Sequence, residues 1–174
     1  MLTHPFVPSL NGSVVGIGAF DGVHRGHQSV LRALVGGARR LGVPAVVYTF
    51  DPPPRVALLG VPQLTSAREK VERLHRCGAD LVIVAPFDQE YRRRDALEFV
   101  AELGRLSPLG VHVGEDFRFG HGRAGDLALL RRSFRVEPVQ PVRCPEGEVI
   151  SSTRVRNLLA AGEVAEAQSL LGWA

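Results

Sequence analysis

The sequence has 174 residues, 45% of them hydrophobic, and a formal net charge of +3. This length and composition allow one globular domain with a sizeable core. No apolar run approaches the roughly 20 residues of a membrane-spanning helix, which excludes a membrane partner. The first residues, MLTHPFVPSLNG, lack the pattern of a signal peptide, so we expect a cytoplasmic protein. The basic runs are short and have no interleaved aromatic residues, which argues against a nucleic-acid partner.

The first two thirds of the chain alternate between apolar runs rich in β-branched residues and helical patterns. The runs typical of buried strands lie at 13–18, 44–50, 79–87 and 109–114. The helical patterns between them lie at 28–41, 65–78 and 96–106. Because continuous apolar strands joined through helices form parallel sheets, we expect an α/β domain whose sheet is covered on both faces.

The chain after Gly114 follows a looser pattern. A glycine-containing loop leads to a short helical stretch, LALLRRS, and then to a strand-like stretch, FRVEPVQPV. A final helical pair is predicted at 153–161 and 163–171, separated by Gly162. No linker or repeat divides the sequence, so residues 1–174 are predicted to form a single domain.

Polar segments follow the end of each predicted strand. After the first strand comes GAFDGVHRGHQ, after the second DPPPR, after the third PFDQ and after the fourth GEDFRFG. Ligands of open parallel sheets bind beyond the carboxyl ends of the strands. These segments are therefore the candidates for a functional site.

Two histidines, His24 and His27, stand on either side of Gly26 at the start of the first helix. The N-terminus of a helix attracts anions, and two imidazoles there can donate hydrogen bonds to phosphate oxygens. Bound phosphate would raise the pKa of both histidines, because an anion favours the imidazolium form. The alternative is that one histidine caps the helix and the other lies on the surface. A zinc site is disfavoured because no third ligand lies nearby.

A second candidate phosphate site is ISSTRVR, residues 150–156. Ser152 or Thr153 can cap the helix that begins here, while Arg154 and Arg156 project from its first turn. Hydroxyl, backbone N–H and guanidinium groups can then converge on one phosphate. A plain helix cap with surface arginines is an equally good interpretation of these residues alone.

The loop VGEDFRFGHGRAGD, residues 113–126, contains four glycines and precedes the predicted short helix. Phe117 and Phe119 can stack on a planar ring, or alternatively pack into the core. Asp126 is placed to cap the short helix. The chain has neither GxxxxGKS/T nor GxGxxG after its first strand, which argues against a P-loop kinase and a dinucleotide-binding protein.

The order of these motifs resembles that of the FMN adenylyltransferase module of prokaryotic bifunctional riboflavin kinase/FAD synthetases. The matching segments, which cover almost the entire chain, are GAFDGVHRGHQ, TFDPPPR, LTSAREK, VGEDFRFGHGRAGD and ISSTRVR. The resemblance implies a three-layer, Rossmann-like nucleotidyltransferase fold of the HxGH type with a central parallel sheet. It also implies transfer of AMP from ATP to FMN with Mg²⁺, and a functional link to a separate riboflavin kinase.

The resemblance further implies roles for individual residues. His24, His27 and Arg156 would be catalytic. The residues implied in ATP binding are Gly18, Ala19, Phe20, Asp21, Gly26, Ser152, Thr153 and Arg156. Those implied in flavin binding are Asp51, Pro53, Asp116, Phe117, Phe119 and Arg123. Asp21 is also a candidate for organising the metal.

Two positions depart from the family pattern. The family commonly has TFEPHP where this chain has TFDPPP, so Pro53 replaces a histidine, and it commonly has asparagine where Ala19 stands. Proline supplies neither a donor nor a charge, and losing one charge-assisted contact costs about 1.5–3 kcal/mol. We therefore expect slower turnover or a changed acceptor. The alternatives are a nucleotidyltransferase for another phosphorylated acceptor and a non-catalytic flavin- or nucleotide-binding regulatory module.

Overall fold

A six-stranded sheet whose neighbouring strands all pair in parallel forms the centre of the computed structural model, which describes residues 2–3 and 7–173. The strand order is β1-β4-β3-β2-β5-β6. The strands are β1 Leu2–Thr3, β2 Ser13–Ile17, β3 Ala45–Asp51, β4 Leu81–Pro86, β5 Pro108–Gly114 and β6 Val136–Val139. The four predicted strands and the later strand-like stretch are confirmed. The two-residue strand β1 was not predicted, because so short a segment carries no periodic pattern.

Eight α-helices accompany the sheet in the described part of the chain. They are α1 Arg25–Leu41, α2 Pro54–Leu59, α3 Ala67–Arg76, α4 Gln89–Arg93, α5 Ala96–Gly104, α6 Leu127–Arg131, α7 Ser152–Ala160 and α8 Val164–Leu171. The predicted helices are confirmed, and α1 begins earlier than predicted. Helices α2 and α4 were not predicted, because neither contains a buried residue and neither therefore shows an apolar stripe.

Helices cover both faces of the sheet, as expected from the continuous apolar strands. On one face, Leu34 of α1 and Leu74 of α3 pack against strand residues such as Val14. On the other face, Phe99 of α5 and its neighbours pack against the alternate strand residues, such as Val15. The molecule therefore has three layers, because successive strand residues point to opposite faces and both faces need cover.

Local capping signals place the helix starts. Asp95 forms a capping box with Glu98, and Asp126 accepts the N–H of Leu129 at 2.9 Å as predicted. Ser66 accepts the N–H of Glu69 at 3.2 Å. These side chains satisfy backbone donors that the first helical turn leaves free.

The C-terminal helices form a smaller apolar cluster of their own. Val155 of α7 and Leu170 of α8 pack with Ile150, which precedes α7, and with Leu64, which precedes α3. The two helices are separated at Gly162, which has a φ of 79° and so takes a conformation that glycine adopts easily. The cluster brings the end of the chain against the segments that follow β2 and β3.

No helix within residues 2–3 and 7–173 is long and apolar enough to cross a membrane.

Helix α1 offers a matched test of the packing. Leu34 is 0% exposed and Leu41, on the same helix, is 56% exposed. We expect Leu34→Ala to lower the free energy of unfolding by about 2–5 kcal/mol, because it leaves a cavity against the sheet. Leu41→Ala should change it by less than about 0.5 kcal/mol in the same urea titration. Equal losses in the two variants would contradict this account of the core.

Candidate active site

A cavity of about 660 Å³ opens where β2, β5 and β6 end. Its lining includes Gly18 just after β2, Gly114 at the end of β5 and Gln140 just after β6. The chain moves outward from β2 through β3 to β4, and then crosses to β5 on the other side, so the strand order reverses between β2 and β5. The cavity therefore lies at the switch point where open parallel sheets bind their ligands.

The loop between β2 and α1 turns sharply through left-handed backbone. Phe20 has a φ of 47°, Gly22 of 82° and Val23 of 44°. A β-branched residue such as valine rarely takes a positive φ, and each such residue costs on the order of 1–3 kcal/mol. The surrounding contacts must hold this conformation, which turns Asp21 inward and places His24 at the start of α1.

The two histidines lie together at the N-terminus of α1. His24 is the N-cap, and its Nδ1 accepts the backbone N–H of His27 at 3.3 Å. The two rings stack with centroids 3.7 Å apart and an angle of 16° between their planes. Both line the cavity, so their predicted position is confirmed. The alternative was right that one histidine caps the helix and wrong that the other stands apart on the surface.

Burial keeps both imidazoles neutral in the absence of a ligand. It lowers the pKa of His24 to about 4. It also lowers the pKa of His27 well below its usual value, and His24 and Lys70 add smaller effects in the same direction. Because Nδ1 of His24 accepts a hydrogen bond, the proton of its neutral ring is on Nε2.

One polar atom of this pair has no partner. Nδ1 of His27 is buried and makes no hydrogen bond within the described residues. A buried polar atom without a partner costs free energy, and the residue that carries this atom lines the cavity.

Asp21 and Arg156 form a buried ion pair beside the histidines. The Asp21 side chain is 2% exposed and that of Arg156 is 10% exposed. Asp21 also accepts the backbone N–H groups of Leu64 at 3.0 Å and Thr65 at 3.2 Å, and Arg156 Nε donates to the carbonyl of Pro62 at 2.6 Å. Both carboxylate oxygens of Asp21 are therefore engaged by protein donors, and its role in organising the metal stays a prediction. Arg156 does not line the cavity.

The serine-threonine segment at the start of α7 reaches the cavity, but its arginines do not. The predicted cap at Ser152 or Thr153 is wrong, because Ser151 is the N-cap and its Oγ accepts the N–H of Arg154 at 3.2 Å. Ser151, Ser152 and Thr153 line the cavity, and Ser152 Oγ also donates to the carbonyl of Asp21 at 2.9 Å. Arg154 instead pairs with Glu166 at 2.8 Å.

The phenylalanines of the 113–126 loop pack into the core rather than the cavity. Phe119 is 8% exposed, and its ring lies 5.1 Å from that of Phe99 and 5.5 Å from that of Phe117. Paired backbone hydrogen bonds between Phe119 and Gly125 fold the loop back, which turns Phe119 inward. The core interpretation therefore holds for Phe119, whereas Phe117 is only partly buried and the flavin contact implied for it stays a prediction. Asp116 of the same loop does line the cavity.

Four further predicted residues lie outside the cavity lining. Asp51 accepts a hydrogen bond from Gln63 at 3.2 Å, and Pro53 is buried at the start of α2. Arg123 is exposed in the distal part of its loop. The carbonyl of Ala19 accepts Thr49 Oγ1 at 3.0 Å. Phe20 and Gly26 do line the cavity, and a Cβ on Gly26 would lie 3.0 Å from the carbonyl of Ile150, so a larger residue there would require its neighbours to shift.

The sequence analysis missed three ionisable residues of the lining, which are Arg55, His112 and Glu115. Arg55 is exposed in α2, directly after the three prolines, so its place in DPPPR at a strand end was the available signal. His112 lies within β5, with Nε2 3.6 Å from a carboxylate oxygen of Glu137, and burial lowers its pKa. A polar residue inside a strand gives no sequence signal of what it faces.

Comparison with known proteins identifies relatives over almost the whole chain. The model of the family described as FAD synthetase matches residues 7–154. A putative bifunctional riboflavin kinase/FMN adenylyltransferase of Geobacillus thermodenitrificans is 52% identical, over 95% of this chain and 92% of its own length. The bifunctional riboflavin kinase/FMN adenylyltransferase of Escherichia coli is 39% identical over 92% of this chain. The chain spans only 54% of the Escherichia coli relative.

A solved structure has the same fold. A Streptococcus pneumoniae protein described as a macrolide-efflux protein superposes with a TM-score of 0.82 and 30% sequence identity, covering 98% of this chain and 61% of that one. The efflux description applies to the Streptococcus pneumoniae protein.

The parallel sheet, its switch-point cavity and the histidine pair at a helix N-terminus define a Rossmann-like nucleotidyltransferase domain. Within that class, the chain belongs to the FAD synthetase family and is an FMN adenylyltransferase domain.

The lowered histidine pKa predicts a loss of stability in mild acid. Between about pH 7 and about pH 5 the unfolded chain binds a proton at His24 that the folded protein excludes, so the free energy of unfolding falls by about 2 kcal/mol. His27 acts in the same direction. Urea unfolding between pH 7 and pH 5 should show that the free energy of unfolding depends less on pH in His24→Gln than in the wild type. The exposed His121→Gln variant should keep the full slope, and an unchanged slope in His24→Gln would contradict the assignment.

Proposed function

We propose that this chain transfers the AMP moiety of ATP to FMN in the cavity at the ends of β2 and β5, giving FAD and pyrophosphate. The observation that carries the proposal is the stacked His24–His27 pair at the N-terminus of α1, which lines a cavity also lined by Ser152 and Thr153. This arrangement offers neutral donors and hydroxyls to a polyphosphate at the N-termini of two helices.

The reaction needs positioning and charge neutralisation more than a protein nucleophile. A phosphate oxygen of FMN forms a bond to the α-phosphorus of ATP, and the bond from that phosphorus to the pyrophosphate oxygen breaks. The imidazoles of His24 and His27 donate hydrogen bonds to the phosphate oxygens on which charge develops. Binding of the anion raises the pKa of both rings, which strengthens these contacts as the imidazolium form becomes favoured.

The start of α7 is the proposed site of the departing pyrophosphate. Ser151, Ser152 and Thr153 line the cavity there. The cap takes the backbone N–H of Arg154, so the N–H groups of Ser152 and Thr153 are the ones available to an anion. Arg156 acts on this site indirectly, because its pairing with Asp21 joins α7 to the histidine loop. This role differs from the direct phosphate contact implied by the family resemblance.

The described residues fit Mg²⁺ only as an ion carried mainly by the substrate. No group of three or more histidine, cysteine, aspartate or glutamate side chains within residues 2–3 and 7–173 is arranged to hold a metal. Mg²⁺ commonly binds one or two carboxylates together with substrate phosphates. The exposed Asp116 carboxylate in the cavity lining is the proposed protein ligand, and the bound ion would neutralise phosphate charge.

Arg55 is the proposed permanent cation of the site. Among the described residues that line the cavity it is the one arginine, and lysine is absent from the lining. The histidines there are held neutral, and Arg156 is neutralised by Asp21. No hydrogen bond or ion pair within the described chain occupies the Arg55 guanidinium, which is therefore available for a substrate phosphate.

Chromatography of reaction products tests the proposed reaction directly. Purified protein with ATP, Mg²⁺ and FMN should form FAD, whereas riboflavin in place of FMN should give none unless a riboflavin kinase supplies FMN. We expect His27→Ala to keep the fold and to lower turnover at least about tenfold, because a transition-state contact is lost. Normal turnover in this variant would contradict the role of His27. Absence of FAD from folded, ATP-binding wild type would contradict the proposed reaction.

Arg55 has a testable effect on substrate binding. We expect Arg55→Ala to raise a substrate KM by about 10- to 100-fold, because a charge-assisted contact worth about 1.5–3 kcal/mol is lost. Arg55→Lys should recover part of the loss. The control is Arg68→Ala on α3, where the side chain is 90% exposed and pairs with Glu72. Steady-state kinetics showing equal KM values in Arg55→Ala, Arg68→Ala and wild type would rule out the assignment.

A further inference from the structure

The end of the chain packs directly against the loop that carries the histidines. Trp173 follows Gly172, at which α8 ends, and its Nε1–H donates to the backbone carbonyl of Val23 at 2.9 Å. Gln28 of α1 donates through Nε2 to the same carbonyl at 2.9 Å, and to the carbonyl of Leu171 at 2.9 Å. One carbonyl in the histidine loop thus receives hydrogen bonds from two directions.

Two arginines of α3 hold the Trp173 ring in place. The guanidinium groups of Arg73 and Arg76 lie 5.3 Å and 5.2 Å from the centre of the indole ring, within the range of a cation–π contact. Arg73 also donates to the carbonyl of Gly22 at 2.9 Å. The carbonyls of Gly22 and Val23 are therefore both fixed by side chains from outside the loop.

These bonds act on the most strained part of the loop. Val23 is 0% exposed and has a φ of 44°. A strained backbone conformation persists only where its surroundings over-determine it. The carbonyl of Val23 belongs to the peptide group that joins Val23 to His24, so the orientation of this group fixes the position of the His24 ring. Because the two rings stack, the position of His24 in turn affects that of His27.

Trp173 is close to the reaction site without belonging to it. It does not line the switch-point cavity, whereas His24 and His27 do. Trp173 therefore has no direct contact with a substrate bound in this cavity. Its hydrogen bond to the Val23 carbonyl connects it to the histidines through one peptide group.

We propose that Trp173 is a positioning residue for adenylyl transfer, which holds the Val23 carbonyl and thereby places His24 and His27. This inference rests on the proposed roles of the two histidines. It has two consequences: loss of the indole N–H lowers the rate of the chemical step, and binding of ATP at the histidines changes the surroundings of the indole ring.

The kinetic test removes the N–H while keeping the shape of the ring. Trp173 is the single tryptophan of the sequence, so growth on 3-benzothienylalanine, an isostere with sulfur in place of N–H, replaces this residue alone. We expect kcat for FAD formation to fall about threefold to tenfold, with the KM values for ATP and FMN and the melting temperature little changed. Trp173→Phe, which also lacks the N–H, should show the same split between kcat and KM.

Two comparison variants separate positioning from general stability. Gln28→Met removes the second donor to the Val23 carbonyl. In the double variant with Trp173→Phe, we expect the change in kcat to differ from the sum of the changes, on a free-energy scale, in the two single variants. Arg40→Gln, at the exposed far end of α1, should leave kcat unchanged. A lower melting temperature with normal kcat in the Trp173 variants would overturn the proposal.

The spectroscopic test uses the emission of the same residue. Titration of the wild-type protein with ATP alone should change the Trp173 emission, with a midpoint equal to the ATP dissociation constant measured by calorimetry, and His27→Ala should reduce the change. Wild-type protein that makes FAD but shows constant emission and normal kcat in the Trp173 variants would overturn the positioning role only. Wild-type protein that binds ATP and makes no FAD would instead overturn the proposed function.

Discussion

The buried pair of Asp21 and Arg156 is the interaction on which the arrangement of the active site depends. Asp21 lies in the loop after β2, Arg156 lies in α7, and the backbone N–H groups of Leu64 and Thr65 complete the shell of the carboxylate. Removing one partner of a buried pair leaves an uncompensated charge and costs about 3–5 kcal/mol. The pair thus holds three segments, distant in the sequence, at one point beside the histidines.

The same pairing decides the charge of the cavity. A carboxylate and a guanidinium that neutralise each other leave little net field, and burial removes the charge from His24 and His27. The site is therefore built mainly from neutral donors, with Arg55 as its exposed cation and Asp116 as an exposed carboxylate. Neutral donors fixed in place need no reorganisation when charge develops on a phosphate, which is the condition for electrostatic stabilisation of a transition state.

Much of the fold was predictable because its signals are local. Apolar runs marked four of the strands, periodic stripes marked the larger helices, and Asp126 caps the short helix as expected. Helices α2 and α4 were not predicted because neither buries a residue. The start of α1 was misplaced because its cap is the ring nitrogen of His24, and histidine is not among the usual capping residues.

The sequence by itself determined the parallel α/β architecture and the place of the histidine pair, since both follow from the order of strands and helices and the spacing of neighbouring residues. The nucleotidyltransferase class followed from the resemblance of its motifs to a known family. Only the tertiary structure decided which polar groups reach the cavity. It joined Arg156 to Asp21, turned Phe119 into the core and brought Arg55 to the lining. The physical reason is that a side chain takes the partner that best compensates its burial, and these partners lie far away along the chain.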